Sequence, residues 1–228
     1  MTTAALSTDR LSDAVPPLAF PRPALHVVKP SSGGDLVAAE QAAAAFLISL
    51  GVDLDTESLA ATPARMARAY AEMFSPRPFD LTTFPNDAGY DELIIARSIP
   101  VQSVCEHHLL PFIGVAHVGY LPGERILGLS KLARVVELFA RRPQVQERLT
   151  QQVADWLQDQ IAPRGLGVVI EAEHQCMTVR GVRASGVNTV TSAVHGQLRH
   201  DAASRGEFFT LIGSSEQPTP LLNDKAHP

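Results

Sequence analysis

The sequence predicts an α+β fold in which a small sheet packs against helices. Segments with helical and strand-like patterns follow one another as helices, two strands, two helices, two strands and a last helix. Hydrophobic residues make up 45% and charged residues 19% of the 228 residues, so one ordinary domain with a buried core is expected. The strands would form a four-stranded open sheet, and its two unpaired edges favour pairing with other subunits.

The domain is expected to cover residues 35–213, between an N-terminal tail over residues 1–34 and a C-terminal tail over residues 214–228. The first segment is rich in proline, ends in SSGG and shows no sustained periodicity. It lacks the continuous apolar core of a signal peptide. No apolar run in the chain approaches the ~20 residues of a membrane span. We therefore expect a cytoplasmic protein without a membrane partner.

Two helices are predicted before the first strand. Residues 35–50 are alanine-rich and favour a helix. A second helix should start at Thr62-Pro63 and stop before Pro76, with the threonine as its N-cap and the proline in its first turn.

The middle of the chain predicts two strands followed by two helices. Residues 92–101 and 112–121 have strand patterns, and alternate apolar residues from Phe112 to Tyr120 share one face. A turn then leads to a short strand, Arg125–Leu129. Ser130 is a plausible N-cap for the next helix, whose apolar residues have helical spacing. Pro143 should begin the second helix.

Two further strands, residues 166–180 and 187–195, precede a last helix capped by Asp201. Side chains alternate along a strand. The first of these strands therefore predicts a shared face for His174, Cys176, Thr178 and Arg180.

The two cysteines of the chain each lie beside histidines. Cys105 opens the motif CEHH, where a C-x2-H spacing lets Cys105 and His108 grip one metal ion. Cys176 closes the motif HQC. Three ligands from these motifs, Cys105, His108 and Cys176, suit a catalytic zinc ion, which keeps one position open for water. Water on such an ion can have a pKa near ~7.

His107 and His174 are left beside the predicted metal and are free to move protons. Two simpler interpretations stay open from the residues alone. Both cysteines could be ordinary buried thiols. A closed structural zinc site could take either histidine as a fourth ligand. His117 lies within a strand pattern and is interpreted as structural, and no signal distinguishes His26, His195, His200 and His227.

Basic residues form a weaker signal. Ser130 and Lys131 open a predicted helix with Arg134 one turn on, and helix N-termini favour anions. Arg65 and Arg68 lie one turn apart on the early helix. Each charge alone fits a solvated surface, and spacing does not reveal a phosphate cradle. The net charge of -5 disfavours nucleic-acid binding but allows a local site for a phosphorylated small molecule.

At CEHHLLPF the sequence resembles GTP cyclohydrolase I. The resemblance covers about residues 36–212 and is densest from residue 98 onward. Further segments follow in the order found in that family: TPARMARAYAEMF upstream, then GVAHVGYLPG, ILGLSKLARVVELFARRPQVQERLTQQV, HQCMTVRGV, NTVTSAVHG and RGEFFTLI.

The resemblance implies roles for individual residues. Cys105, His108 and Cys176 match the zinc ligands, and His107 and His174 match the catalytic histidines. Glu147 matches the carboxylate that holds the guanine edge, and Gln146 beside it is assigned to the same substrate-binding region. The triphosphate and ribose region is matched by Arg65, Arg68, Ser130, Lys131, Arg134 and Arg180.

The resemblance also implies the tunnelling fold, ββααββ, and a toroidal homodecamer with active sites at subunit interfaces. The implied reaction converts GTP and water into 7,8-dihydroneopterin triphosphate and formate, an entry to folate or other pterins. Two departures from the family pattern stand out. Gln175 replaces an apolar or aromatic residue, and Arg68 stands where some relatives carry lysine.

Two other functions compete with this hydrolase. A tunnelling-fold relative acting on another purine or pterin, such as a deazapurine reductase, would use a nucleophilic cysteine, and the CEHH and HQC motifs argue against it. A non-catalytic GTP-binding scaffold with structural zinc would not need His107 and His174.

Overall fold

A computed structural model of the protein describes residues 34–213. The predicted tails, residues 1–34 and 214–228, lie outside the described residues except for Gly34. The elements in chain order are α1 (Leu36–Ser49), α2 (Thr62–Met73), β1 (Thr83–Pro85), β2 (Ile94–Cys105), β3 (Pro111–Leu121), β4 (Arg125–Leu127), α3 (Leu129–Ala140), β5 (Pro143–Gln144), α4 (Gln146–Ile161), β6 (Gly165–His174), α5 (Gln175–Thr178), β7 (Asn188–Gly196), α6 (Gln197–His200) and α7 (Ala202–Gly213).

The main sheet has the strand order β5-β2-β3-β6-β7, and β2, β3, β6 and β7 pair antiparallel. With α3 and α4 between its two strand pairs, the chain has the predicted α+β, ββααββ core. The prediction of four strands was one short, because β5 adds a two-residue parallel pair to the end of β2. The short strand β4 pairs with β1 in a separate sheet.

Each face of the main sheet is covered by its own group of helices. On one face, the apolar residues of β3 pack with α3 and α4, and Phe112, Ala116 and Tyr120 are fully buried, which confirms their predicted shared face. Burying a large apolar side chain stabilises the fold by ~1.5–3 kcal/mol. The opposite face packs Phe208 of α7 against the sheet.

Phe208 fits because the strands beneath it carry glycine. A Cβ at Gly167 would lie 2.7 Å from its ring, and one at Gly119 would lie 2.9 Å away. Side chains at these positions would displace the helix.

Aspartate side chains cap two of the helices, and the sequence predicted one of these caps, Asp201. Asp35 Oδ1 accepts hydrogen bonds from the backbone N–H groups of Val37 and Ala38, both at 3.0 Å. Asp201 accepts from the backbone N–H of Ser204 at 2.7 Å. Both carboxylates satisfy N–H groups that have no partner within the helix.

Two predicted helix starts were wrong, and a third was right in position but not in its cap. α2 begins at Thr62 as predicted, but its cap is Ala61, and the Thr62 hydroxyl accepts from Arg65. α3 has Gly128 instead of Ser130 as its cap, because the Gly128 N–H is bonded to Thr82 and the helix follows directly. Pro143 belongs to β5, so α4 begins only at Gln146.

The strand predicted over residues 166–180 ends at His174. Its neighbours end there too, since His174 lies opposite Phe112 near the start of β3 and Glu173 lies opposite the first residue of β7. Without partners the chain turns into the four-residue helix α5. The predicted strand face shared by His174, Cys176, Thr178 and Arg180 is therefore wrong. Across residues 34–213, no helix is both long enough and apolar enough to cross a membrane.

Candidate active site

The CEHH motif forms a tight turn between β2 and β3. The N–H of Cys105 donates to the carbonyl of Leu110 at 2.9 Å, and the N–H of Leu109 donates back to the carbonyl of Cys105 at 2.8 Å. Leu109 adopts a left-handed conformation with φ 54° to close the turn. Tyr70 of α2 donates its hydroxyl to the Leu109 carbonyl at 3.0 Å. The turn buries Cys105 and exposes His107 and His108.

Cys176 reaches this turn from α5. The ligand atoms of Cys105, His108 and Cys176 all lie within 4.8 Å of one another, and the Cys105 Sγ to His108 Nδ1 distance is 3.9 Å. Ligand bonds of 2.3 and ~2.05 Å to a tetrahedral zinc place sulfur and nitrogen about 3.6 Å apart. Two thiols and one imidazole at these separations fit zinc with one position open.

Burial raises the pKa of the Cys176 thiol, and the neighbouring Cys105 thiol raises it further. Two thiolates this close would repel each other in the absence of a cation. A divalent cation would supply the charge that stabilises both thiolates. The chemistry of these three residues therefore fits a metal site.

The two histidines of the turn differ in whether a ring nitrogen lies close to both cysteine sulfurs. His107 Nδ1 lies 4.0 Å from Cys105 Sγ, much like His108, but within residues 34–213 His107 does not join the cluster that includes Cys176. Its side chain is 64% exposed. His107 is thus placed beside the candidate metal and remains accessible.

His174 is held on two sides at the end of β6. Its ring stacks on Phe112, with the centroids 4.5 Å apart and the planes 8° from parallel. Its Nε2 lies 2.8 Å from the amide oxygen of Gln146. Burial lowers the pKa of His174, although the charge of Glu147 opposes this. Burial therefore favours the neutral form of the imidazole.

The start of α4 is tied to the CEHH turn. Glu147 lies exposed in the first helical turn, where the helix dipole favours a carboxylate. Arg148 beside it makes an ion pair with Glu106 and donates to the Gln144 side chain at 3.1 Å. The backbone N–H of Glu106 donates to the Gln144 carbonyl at 3.0 Å. These contacts join the candidate guanine-binding residue to the metal-binding turn.

The predicted phosphate-binding residues lie on two helices and in the loop after α5. Arg65 of α2 donates to Ser58 and Thr62, and Arg134 of α3 lies 3.3 Å from Glu137. Arg180 is exposed just after α5 and is close enough to Cys176 to lower its pKa. Of the others, Arg68 and Ser130 are exposed and Lys131 is half-buried.

Sequence reasoning missed the contacts that hold the site together. Phe112 was predicted as core, and its stacking on His174 follows from the β3–β6 register. Arg148 was not singled out, although it directly follows Glu147 in the QVQERLT segment. The linear sequence carries no signal for its pairing with Glu106, 42 residues away.

Comparison with known proteins identifies the family. Residues 39–213 match the model of the family described as GTP cyclohydrolase I. The protein named GTP cyclohydrolase 1 of Streptomyces avermitilis is 55% identical over 179 residues, which cover 76% of this chain and 89% of that protein. The one of Mycobacteroides abscessus is 54% identical over 183 residues, covering 78% and 90%.

Among solved structures, the archaeosine synthase QueF-Like in the apo form aligns with 46% of this chain and 93% of its own, with a TM-score of 0.37 and 18% identity. That likeness is too small to bear on function. The sequence matches, with the ββααββ sheet and the Cys–His–Cys cluster, define the class of protein. The chain belongs to the GTP cyclohydrolase I family.

Proposed function

We propose that this chain catalyses the GTP cyclohydrolase I reaction, in which GTP is hydrolysed and rearranged to 7,8-dihydroneopterin triphosphate with release of formate. This is the first step of folate and pterin biosynthesis. The observation that carries the proposal is the Cys105–His108–Cys176 cluster with His107 and His174 beside it, in a chain of this family.

Zinc is the metal proposed for the cluster, held by Cys105, His108 and Cys176. When bound, it supplies a Lewis acid that makes water nucleophilic at neutral pH. The protein's own part is to keep the two cysteine sulfurs and the His108 imidazole together, with Cys105 at the end of β2 and Cys176 in α5. The Leu109 turn and α5 provide this arrangement.

Glu147 is proposed to hold the guanine edge. Its carboxylate can accept hydrogen bonds from both N1–H and the 2-amino group, a pair of donors that adenine lacks. A purine bound over Glu147 would cover this carboxylate, and leaving a covered polar group unpaired costs about 1–3 kcal/mol or more, so ATP would be disfavoured. The pairing of Arg148 with Glu106 supports this role, because it fixes the start of α4 relative to the metal-binding turn.

The two histidines are proposed to move protons. His174 delivers one to N7 as water adds at C8 and the C8–N9 bond opens. A second hydrolysis releases C8 as formate. The ribose then opens, rearranges and closes onto the exposed amine, with the accessible His107 as proton shuttle.

The triphosphate and ribose are proposed to be bound by five basic residues and one hydroxyl group: Arg65, Arg68, Ser130, Lys131, Arg134 and Arg180. Within one chain they lie on two helices and in a loop, which fits a site completed by another subunit.

Family resemblance supports a homodecamer, and light scattering that gives only a monomer would contradict it. We place the protein in the cytoplasm, where GTP is available and thiols stay reduced.

Incubation of the purified protein with GTP tests the activity. Formate should be released, and a fluorescent pterin should appear after oxidation, with one zinc per subunit by metal analysis. Turnover of a deazapurine without formate release would favour the reductase alternative. Binding of GTP without turnover, with zinc present, would favour the scaffold.

A further inference from the structure

The side chain of Gln146 has one possible orientation. Gln146 is 1% exposed. Its Nε2 lies 3.0 Å from the carbonyl oxygen of Ile170 and 2.8 Å from that of Thr189. Carbonyl oxygens only accept hydrogen bonds, so the NH2 group must face them. The amide oxygen therefore faces the Nε2 of His174, at 2.8 Å.

Two hydroxyl groups complete this network. Thr150 donates to the backbone carbonyl of Gln146 at 2.8 Å. Thr191 lies 2.6 Å from the Thr150 hydroxyl and can donate to it. The Thr191 oxygen lies 3.2 Å from the Gln146 Nε2 and can share one of the two hydrogens that the NH2 group donates to the carbonyls. A reversed amide would set its oxygen against two carbonyl oxygens, which buried groups do not tolerate.

The network fixes the tautomer of His174. An amide oxygen can only accept, so the hydrogen of the neutral imidazole must be on Nε2. Nδ1 then carries the lone pair. The stacking on Phe112 fixes the plane of the same ring. Neither ring flipping nor tautomer exchange is possible without breaking the bond to Gln146.

We propose that Gln146 is a positioning residue, which holds His174 as the Nε2–H tautomer so that Nδ1 is the nitrogen that exchanges protons with the purine. The catalytic meaning rests on the proposed function, whereas the tautomer does not. In the step concerned, water adds across the C8–N7 double bond. The oxygen bonds to C8 while the π electrons move to N7. One water proton passes to Nδ1 of His174 and from there to N7, and Nε2–H stays bonded to Gln146.

Nitrogen NMR of zinc-loaded protein labelled with ¹⁵N-histidine tests the tautomer directly. The His174 signals are identified by their loss in His174→Ala. At a pH where the ring is neutral, Nε2 should carry the proton and Nδ1 should not. A His174 signal protonated on Nδ1 would overturn the proposal, whatever the activity of the protein.

Gln146→Met tests the positioning role, and Gln144→Met is its matched control. Gln144 is equally buried, and its amide donates to Phe139 and Gln152 and accepts from Arg148, without a contact to His174. We expect Gln146→Met to lose the single tautomer and about 10²-fold in kcat, with KM and zinc content little changed. Gln144→Met should show a similar loss of stability with the His174 tautomer intact.

A raised KM with an unchanged tautomer in Gln146→Met would make Gln146 a substrate contact and overturn the proposal. If that variant does not fold, the NMR signals of the parent protein still show which nitrogen of His174 carries the proton. A parent protein that shows Nε2–H on His174 but releases no formate would contradict the proposed function and leave the tautomer assignment standing.

Discussion

The candidate metal site and the candidate phosphate-binding region are built differently. In the first, Cys105, His108 and Cys176 come from two distant segments and meet within 4.8 Å inside one chain. In the second, the basic side chains lie on two helices and in a loop, and Arg134 is paired with Glu137. Backbone turns and burial bring the metal-site residues together, whereas the phosphate-binding region consists mainly of solvated charges.

This difference reflects what each ligand requires. A zinc ion needs ligand atoms at fixed short distances, so the backbone must bring them together before the ion binds. A triphosphate can be attracted by charges on long, mobile side chains, including those of another subunit. Substitutions in the metal region should therefore have larger effects than substitutions in the basic region.

The largest effect is expected for Cys176→Ser. Losing one of three proposed ligands should abolish zinc binding and GTP turnover together, because a serine hydroxyl is a poor zinc ligand at neutral pH. Metal analysis and formate release measure both. His117→Gln is a control, since it changes a buried histidine outside the cluster and should keep the metal. Full activity in metal-free parent protein would refute the prediction.

Glu147→Ala should abolish GTP turnover while zinc stays bound, because the carboxylate is proposed to pair with the guanine edge and lies outside the metal cluster. Parallel measurements of zinc content and pterin formation test this. Asp155→Ala offers a control on the same helix, with a carboxylate that accepts from Gln151 instead. Turnover of Glu147→Ala at the parent rate would rule out the assignment.

Replacing His107 or His174, the two histidines proposed not to bind zinc, should slow turnover by roughly 10²–10⁴-fold with zinc retained. This is the usual range for general acid–base groups. His174→Ala should block opening of the imidazole ring. His107→Ala should let the ring open and accumulate a formylated intermediate, visible by mass spectrometry. Loss of zinc in either variant would make that histidine a ligand and remove the open coordination position.

The smallest effect is expected in the basic region, from removing the ion pair between Glu137 and Arg77. Hydrogen bonding to Arg77, followed by the nearby arginine charges, holds the pKa of Glu137 below its usual range. The carboxylate therefore stabilises the fold above its unfolded-state pKa, and this stabilisation is lost as the pH falls through its folded pKa.

Glu137→Gln should lower the free energy of unfolding at pH 7, because it removes the charge that pairs with Arg77. The decrease should be only about 1 kcal/mol, since Arg77 is largely exposed and solvent weakens the ion pair. The difference from the parent should shrink in acid, as denaturant titrations at pH 7 and at low pH would show. An equal difference at both pH values would contradict the role of the ion pair.

Much of the fold could be predicted from local patterns. The period-two apolar residues of β3 and the helical spacing in α3 and α4 gave the element order, because burying each face requires that periodicity. Helix starts were less certain. Ser130 and Pro143 are good helix-start residues by propensity, but the backbone bonds of Gly128 and the pairing of β5 decided where the helices begin.

The sequence by itself determined the ligand types, the spare histidines and the ββααββ order, since these depend on residue chemistry and on short-range periodicity. The tertiary structure decided how the site is held. The end of β6 turns into α5 because its neighbouring strands stop, and this turn brings Cys176 to Cys105. The contacts of Phe112 and Gln146 with His174 depend on strand register and helix packing, which join residues far apart in the chain.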